Sequence, residues 1–150
     1  HCTCTPTQVQ RYKSKIPGPL LDRIDIQIEV APVSVTELAR APKGEPSASI
    51  RERVIAARAI QTERYKNEHG VHCNAQMSRA MIEQFAQLDA EAAQSLQRAM
   101  RRLDLSARAY DRILKVARTI ADLDASPQIA ARHIKEAIGY RSLDRGDWGE

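Results

Sequence analysis

Two hydrophobic rhythms divide the chain. In DIQIEV, residues 25–30, Ile26, Ile28 and Val30 alternate with Gln27 and Glu29, the period of two that marks a half-buried strand. No second segment shows this pattern convincingly. A lone strand cannot satisfy its own backbone groups, so the pattern predicts a sheet whose other strands lie elsewhere, with the chain cut through a larger α/β domain. From Ser47 onward the apolar positions shift to i, i+3, i+4 spacing, which predicts helices. The first runs over 47–69, with Ser49 and Glu52 at capping-box spacing and Gly70 as its stop. Its stripe of Ile50, Val54 and Ala57 thins towards the C-terminus, which predicts that this end is solvated. Four shorter helices follow: 78–86 capped by Ser78, 90–103 capped by Asp89, 107–123 capped by Ser106, and 127–138. In the last, Ser126 reads as the cap, Pro127 as the first helical position and Gly139 as the stop.

The first third is more broken. Thr5 and Pro6 have the order of a cap and first position of a short helix, which IPGP interrupts before LLDR. Residues 31–46 hold Pro32, Pro42 and Pro46 and read as a linker with one helical turn at 35–40. The expectation is a mainly α protein. An N-terminal segment over 1–30 carries the strand and a linker spans 31–46. A long helix fills 47–70, a helical bundle 71–145, and a short tail 146–150.

Composition supports that picture. The chain is 150 residues long and 43% hydrophobic but only 4% aromatic, a mix suited to packed helices. A net charge of +4 is compatible with nucleic acid or nucleotide phosphates without singling them out. No apolar run approaches the roughly 18 residues that span a bilayer, and no signal peptide is visible. Three cysteines are an odd count for a secreted disulfide framework, so the expected location is the cytoplasm, with no membrane partner.

Candidate chemistry centres on arginines. Arg23 sits between an apolar turn and the strand, where a cation needs a target; Asp22 and Asp25 are the local options. In ARAYDRILKVARTIADL, Tyr110, Ile113, Leu114, Ala117, Ile120 and Ala121 form a stripe to be buried, with Arg108, Arg112, Lys115 and Thr119 opposite and Arg118 at the edge. Arg112, Lys115 and Arg118 read most simply as a solvated basic face. Arg108 differs, because a cation in the first helical turn faces the positive end of the helix dipole, at a cost of about 0.3–1 kcal/mol. A bound anion would reverse that sign. Cys2-x-Cys4 is too small a set for structural zinc, which takes four ligands. His69, His72 and Cys73 read as a polar loop. No G-x-x-x-x-G-K-[ST] loop is present, nor an apolar strand ending in Asp-Glu, so the chain is expected not to hydrolyse ATP by itself.

GPLLDRIDI, then LSARAYDRILKVARTIADL, then YRSLDR together resemble the C-terminal part of the magnesium-chelatase-like AAA+ ATPases, and among these the competence-associated ComM/YifB group. The resemblance covers essentially the whole chain. It implies a helical lid domain preceded by the end of an α/β ATPase core. It also implies ATP and Mg²⁺ as cofactors, assembly into a homo-oligomeric ring, expected to be a hexamer, and action on DNA in branch migration or unwinding. Arg23 falls at the arginine-finger position, where it would reach the γ-phosphate of a neighbouring subunit. Such a finger is worth roughly 10³–10⁵ in rate. Arg108 falls at the sensor-2 position, in cis or in trans, and Arg112 at a secondary phosphate contact. The long helix at 47–69 would be an insertion before the lid. Cys2 and Cys4 would be half of a Cys₄ zinc site completed by an upstream pair. A chelatase-type ATPase subunit, a basic helical module that grips DNA without ATP, and an oligomerisation bundle are the competing readings.

Overall fold

A computed structural model describes residues 3–40 and 44–141. It is mainly helical. Helix α1 (Pro6–Lys13) starts where Thr5 and Pro6 predict, and Thr5 and Gln8 complete a reciprocal capping box. Helix α2 (Gly18–Leu21) is one turn, and α3 (Val35–Arg40) occupies the predicted turn in the linker. Then come α4 (Ser47–Arg64), a 3₁₀ turn at Asn74–Gln76, α5 (Arg79–Phe85), α6 (Ala90–Arg102), α7 (Ala107–Leu123) and α8 (Ala131–Gly139). Ser78, Asp89 and Ser106 cap α5, α6 and α7 through the backbone N–H groups of Met81, Ala92 and Ala109, each bond satisfying a donor that the helix itself leaves free.

Helix α7 is the hub, packing on α4, α5, α8 and the 3₁₀ turn, while α6 packs on α8. Its stripe supplies the centre: Ile113, Leu114, Ala117 and Ala121 are buried, against Leu96 of α6, Ile82 of α5 and Ile134 and Ala137 of α8. Tyr65 and Phe85 meet edge to face with centroids 5.5 Å apart, a favoured aromatic geometry. Leu88 and Ile129 form a single parallel bridge that ties the loop before α6 to the loop before α8.

Four expectations need correction. The strand at 25–30 does not form among the described residues. Gln27 makes one parallel bridge, to Arg141, and the alternation is turned over: Gln27 is buried, while Ile26, Ile28 and Val30 are 50%, 67% and 84% exposed. With no neighbouring strand among the described residues to cover them, the apolar residues stay half or more exposed, and the segment is held by its polar side instead. Second, α4 starts at Ser47 without a side-chain cap and ends at Arg64; Ser49 lies inside it, and Gly70, at φ +74°, serves the following turn rather than the helix end.

Third, the solvated end of α4 is its N-terminal half. Ile50, Val54 and Ile55 are 44–60% exposed, whereas Ala57, Gln61 and Tyr65 are buried, because polar side chains near the C-terminus dock on α7. Fourth, α8 starts at Ala131 rather than 127. The carbonyls of Ser126 and Pro127 accept from the Arg118 guanidinium at 2.6 and 2.9 Å, which holds that stretch outside the helix. His133 closes the true start, its Nδ1 accepting from the backbone N–H of Ala130 at 3.0 Å.

Candidate functional site

Residues 21–27 lie along α7 and the end of α8, fastened by polar contacts. Ser106 Oγ donates to Asp22 at 3.2 Å. Arg112 pairs with Asp25. The backbone N–H of Gln27 donates to Tyr140 O at 2.7 Å, and Arg141 Nη1 donates to Ile24 O at 3.0 Å. The buried Arg141 also lies 3.7 Å from Asp22. These bonds hold the Arg23 segment beside the N-terminal half of α7, where Arg108 emerges.

Arg23 is exposed, and its guanidinium donates to Pro19 O at 2.6 Å, one turn back. The two local aspartates are committed elsewhere, Asp22 to Ser106 and Arg141, Asp25 to Arg112. The helical turn therefore orients Arg23 through a neutral carbonyl, and among the described residues no carboxylate neutralises it. Arg108, also exposed, occupies the first turn of α7 next to the capped N-terminus. Asp22 sits at that same cap and offers the dipole a negative partner. The neighbours Asp22 and Ser106 thus join the segments that carry Arg23 and Arg108. Arg112, half-buried in its ion pair with Asp25, fastens the segment to α7.

The expected solvated basic face on α7 is not what the structure contains. Arg118 is 2% exposed and belongs to a buried polar cluster. Its Nε donates to Asp122 at 3.1 Å. Arg64 donates to both Asp122 oxygens. Asn74 donates to Asp122 at 2.8 Å and to Thr119 at 3.0 Å, and accepts from Tyr65 Oη at 2.7 Å. Burial alone would push the Asp122 carboxyl up, but hydrogen bonds from Arg64 and Asn74 and the charges of Arg64 and Arg118 outweigh it and hold the group below the usual carboxylate range. Burial pulls the Arg118 guanidinium down against the attraction of Asp122. Lys115 reaches back to Ala75 O at 3.0 Å, closing the 3₁₀ turn onto α7. The signal for Arg118 was present in the sequence: it lies four residues after Leu114 and three before Ala121, within the buried stripe, with Asp122 at i+4.

Cys2 lies outside the described residues, and Cys4 is exposed. Cys73 Sγ lies 3.6 Å from Gln76 Oε1. Among the described residues no group of three or more His, Cys, Asp or Glu is placed to hold a metal. No helix among them is long and apolar enough to cross a membrane.

The α5–α8 bundle, with the Arg23 segment fastened along α7, is the helical lid domain of a magnesium-chelatase-like AAA+ protein. The chain belongs to the magnesium chelatase ChlI family: residues 44–141 match its C-terminal family, "Magnesium chelatase, subunit ChlI C-terminal", and residues 1–38 match "Magnesium chelatase, subunit ChlI". It is 42% identical over 147 residues to the protein called YifB of Escherichia coli, covering 97% of this chain and 28% of that protein. It is 42% identical over 146 residues to the competence protein ComM of Haemophilus influenzae, with the same coverage. An uncharacterized Mycobacterium tuberculosis protein is 31% identical over 140 residues, covering 93% of this chain and 27% of that one. The chain thus spans a little over a quarter of the length of these relatives, 28% of the first two.

Proposed function

We propose that the chain works as the C-terminal part of a longer, ring-forming AAA+ ATPase that acts on DNA, contributing one arginine to a neighbour's ATP site and a second from its own lid. The observation that carries this reading is the state of Arg23: exposed, oriented by Pro19 O, and bypassed by both nearby aspartates. A guanidinium presented in this way suits a partner outside the chain. MgATP bound on the neighbouring subunit would supply a γ-phosphoryl group whose developing charge the planar fork of Arg23 meets. Arg108 is the sensor-2 candidate, and the Asp22–Ser106 bond ties its segment to the one that carries Arg23. Arg112 has the role of fastening the Arg23 segment through Asp25, with phosphate contact secondary. The metal-binding and phosphate-loop parts are assigned to other regions of the longer protein. The competence name of the Haemophilus relative favours DNA as the substrate over a chelatase reaction, the reading that the family's name would suggest.

The test is ATP turnover by the longer protein carrying Arg23→Ala, alone and mixed with subunits whose phosphate loop is inactivated. Both are expected to be inactive alone and to regain turnover on mixing, since a mixed ring contains interfaces with an intact finger facing an intact loop. Normal hydrolysis by the Arg23→Ala protein alone would show that the finger assignment is wrong.

A further inference from the structure

The α6–α8 face of the bundle carries a second basic feature, built from residues other than Arg23 and Arg108. An open trough of about 450 Å³ runs between α6 and α8. Arg98 and Arg102 line one wall and Lys135 the other, over a floor of Ala99, Ile138 and Gly139. The three cations are exposed, and among the described residues no carboxylate lines the trough. On other faces of the bundle Arg79 pairs with Glu83 and Asp111, and Arg132 with Asp124. Arg98, Arg102 and Lys135 take no such partner among the described residues, so their charge is directed at solvent. Attraction to the α6 C-terminus accounts for Arg102 in the last turn. It accounts neither for Arg98, a full turn earlier, nor for Lys135 on a different helix. Like charges at i, i+4 destabilise a helix by a few tenths of a kcal/mol, a penalty that a polyanion lying in the trough would reverse.

From this arrangement we infer that the α6–α8 trough is a binding surface for the phosphodiester backbone of a nucleic acid. The inference rests on the proposed action on DNA and names the surface. A backbone fits better than a mononucleotide. The trough is open to solvent, Arg98 and Arg102 stand one helical turn apart on α6, roughly 6 Å, with Lys135 across from them on α8, and among the described residues its lining has no aromatic ring on which a single base would stack. The small residues Ala99 and Gly139 keep the floor low. Contacts of this kind read charge and not sequence, so binding is sequence-independent and salt-sensitive.

The experiment is fluorescence anisotropy of the full 150-residue chain with a labelled mixed-sequence oligonucleotide, single-stranded and duplex, over a salt series. The triple variant Arg98→Gln/Arg102→Gln/Lys135→Gln is compared with Arg11→Gln/Arg51→Gln/Arg58→Gln, which removes the same charge from exposed positions on α1 and α4. If the trough binds the backbone, the trough triple loses at least tenfold in affinity at low salt. Its log K against log salt then flattens by about 2–3, from roughly 0.7–0.9 per lost phosphate contact, while the control triple changes much less. A second variant, Gly139→Glu, adds a carboxylate where a Cβ meets nothing within 4 Å, and is expected to weaken binding with the fold intact. Equal losses in the two triples overturn the trough as the surface while leaving action on DNA standing. No salt-dependent binding by the unmodified chain overturns the proposal itself. Weakened ATP binding with unchanged oligonucleotide binding would reassign the trough to nucleotide.

Discussion

Asp122, the next-to-last residue of α7, accepts two hydrogen bonds from the Arg64 guanidinium, 58 residues earlier in the chain, at 2.7 and 2.5 Å. The same carboxylate receives Arg118 from its own helix and Asn74 from the 3₁₀ turn. One anion thus joins α4, the 3₁₀ turn and α7, and its side chain is wholly buried. Removing it leaves two guanidinium groups facing each other without a counter-ion, and breaking such a buried pair typically costs about 3–5 kcal/mol. Asp122→Ala is therefore expected to lower unfolding stability by about that amount, read from urea denaturation. A loss below 1 kcal/mol would mean that water enters and solvates the arginines.

The same carboxylate sets an acid limit. Its folded pKa lies below the ordinary value because the arginine and asparagine hydrogen bonds outweigh the effect of burial. A carboxylate depressed in this way adds stability that is fully present above its unfolded pKa, about 3.9 for Asp. That stability is lost as pH falls through the folded value. The unmodified chain is expected to lose stability below about pH 4 more steeply than Asp122→Asn, so that the two curves converge on acidification. Parallel curves would show that Asp122 does not change its protonation on unfolding.

The two halves of α4 predict opposite mutational behaviour. Ile50 and Val54 are 44% and 46% exposed, while Tyr65, just past the helix, is 3% exposed and packs on Phe85. Ile50→Ala and Val54→Ala should each cost no more than about 0.5–1 kcal/mol, against about 3–5 kcal/mol for Tyr65→Ala. Amide exchange should be fast through the first turns of α4 and slow from Ala57 onward. Slow exchange at Ile50 would place a covering partner on that half.

Much of the bundle was legible because its local signals agree. Ser78, Asp89 and Ser106 stand one residue before a helical stripe, and each caps the expected helix. Signals failed where a distant residue took a group that local rules assign nearby. Arg118 captures the carbonyls of Ser126 and Pro127, so an apparent cap and first position became a loop. Gln27 is buried, while its isoleucine neighbours are half or more exposed, because period two gives two faces but not the one that finds a partner. The fold alone did not mark Arg23. The nine-residue motif singled it out, and the committed partners of Asp22 and Asp25 explain why it is left facing outward.

Helix ends supply the last case. Ala125 follows α7 with φ +49°, the left-handed region that L side chains enter at a cost of roughly 1–2 kcal/mol. Its N–H bonds Asp122 O at 3.1 Å and that of Ser126 bonds Ala121 O at 2.8 Å, the paired bonds of a Schellman motif. Asp104 after α6 is also left-handed, at φ +46°, with Leu105 N bonded to Met100 O. Neither position is the glycine that usually marks such an end, whereas Gly139, read as a stop, is the final helical residue of α8. Ala125→Gly removes the Cβ clash but frees the unfolded backbone, an opposing effect of about 0.5–1 kcal/mol. The net expectation is stabilisation by up to about 1 kcal/mol, seen as a raised urea midpoint with an unchanged m-value. Destabilisation would show that the Ala125 methyl group makes contacts worth more than the strain of its backbone.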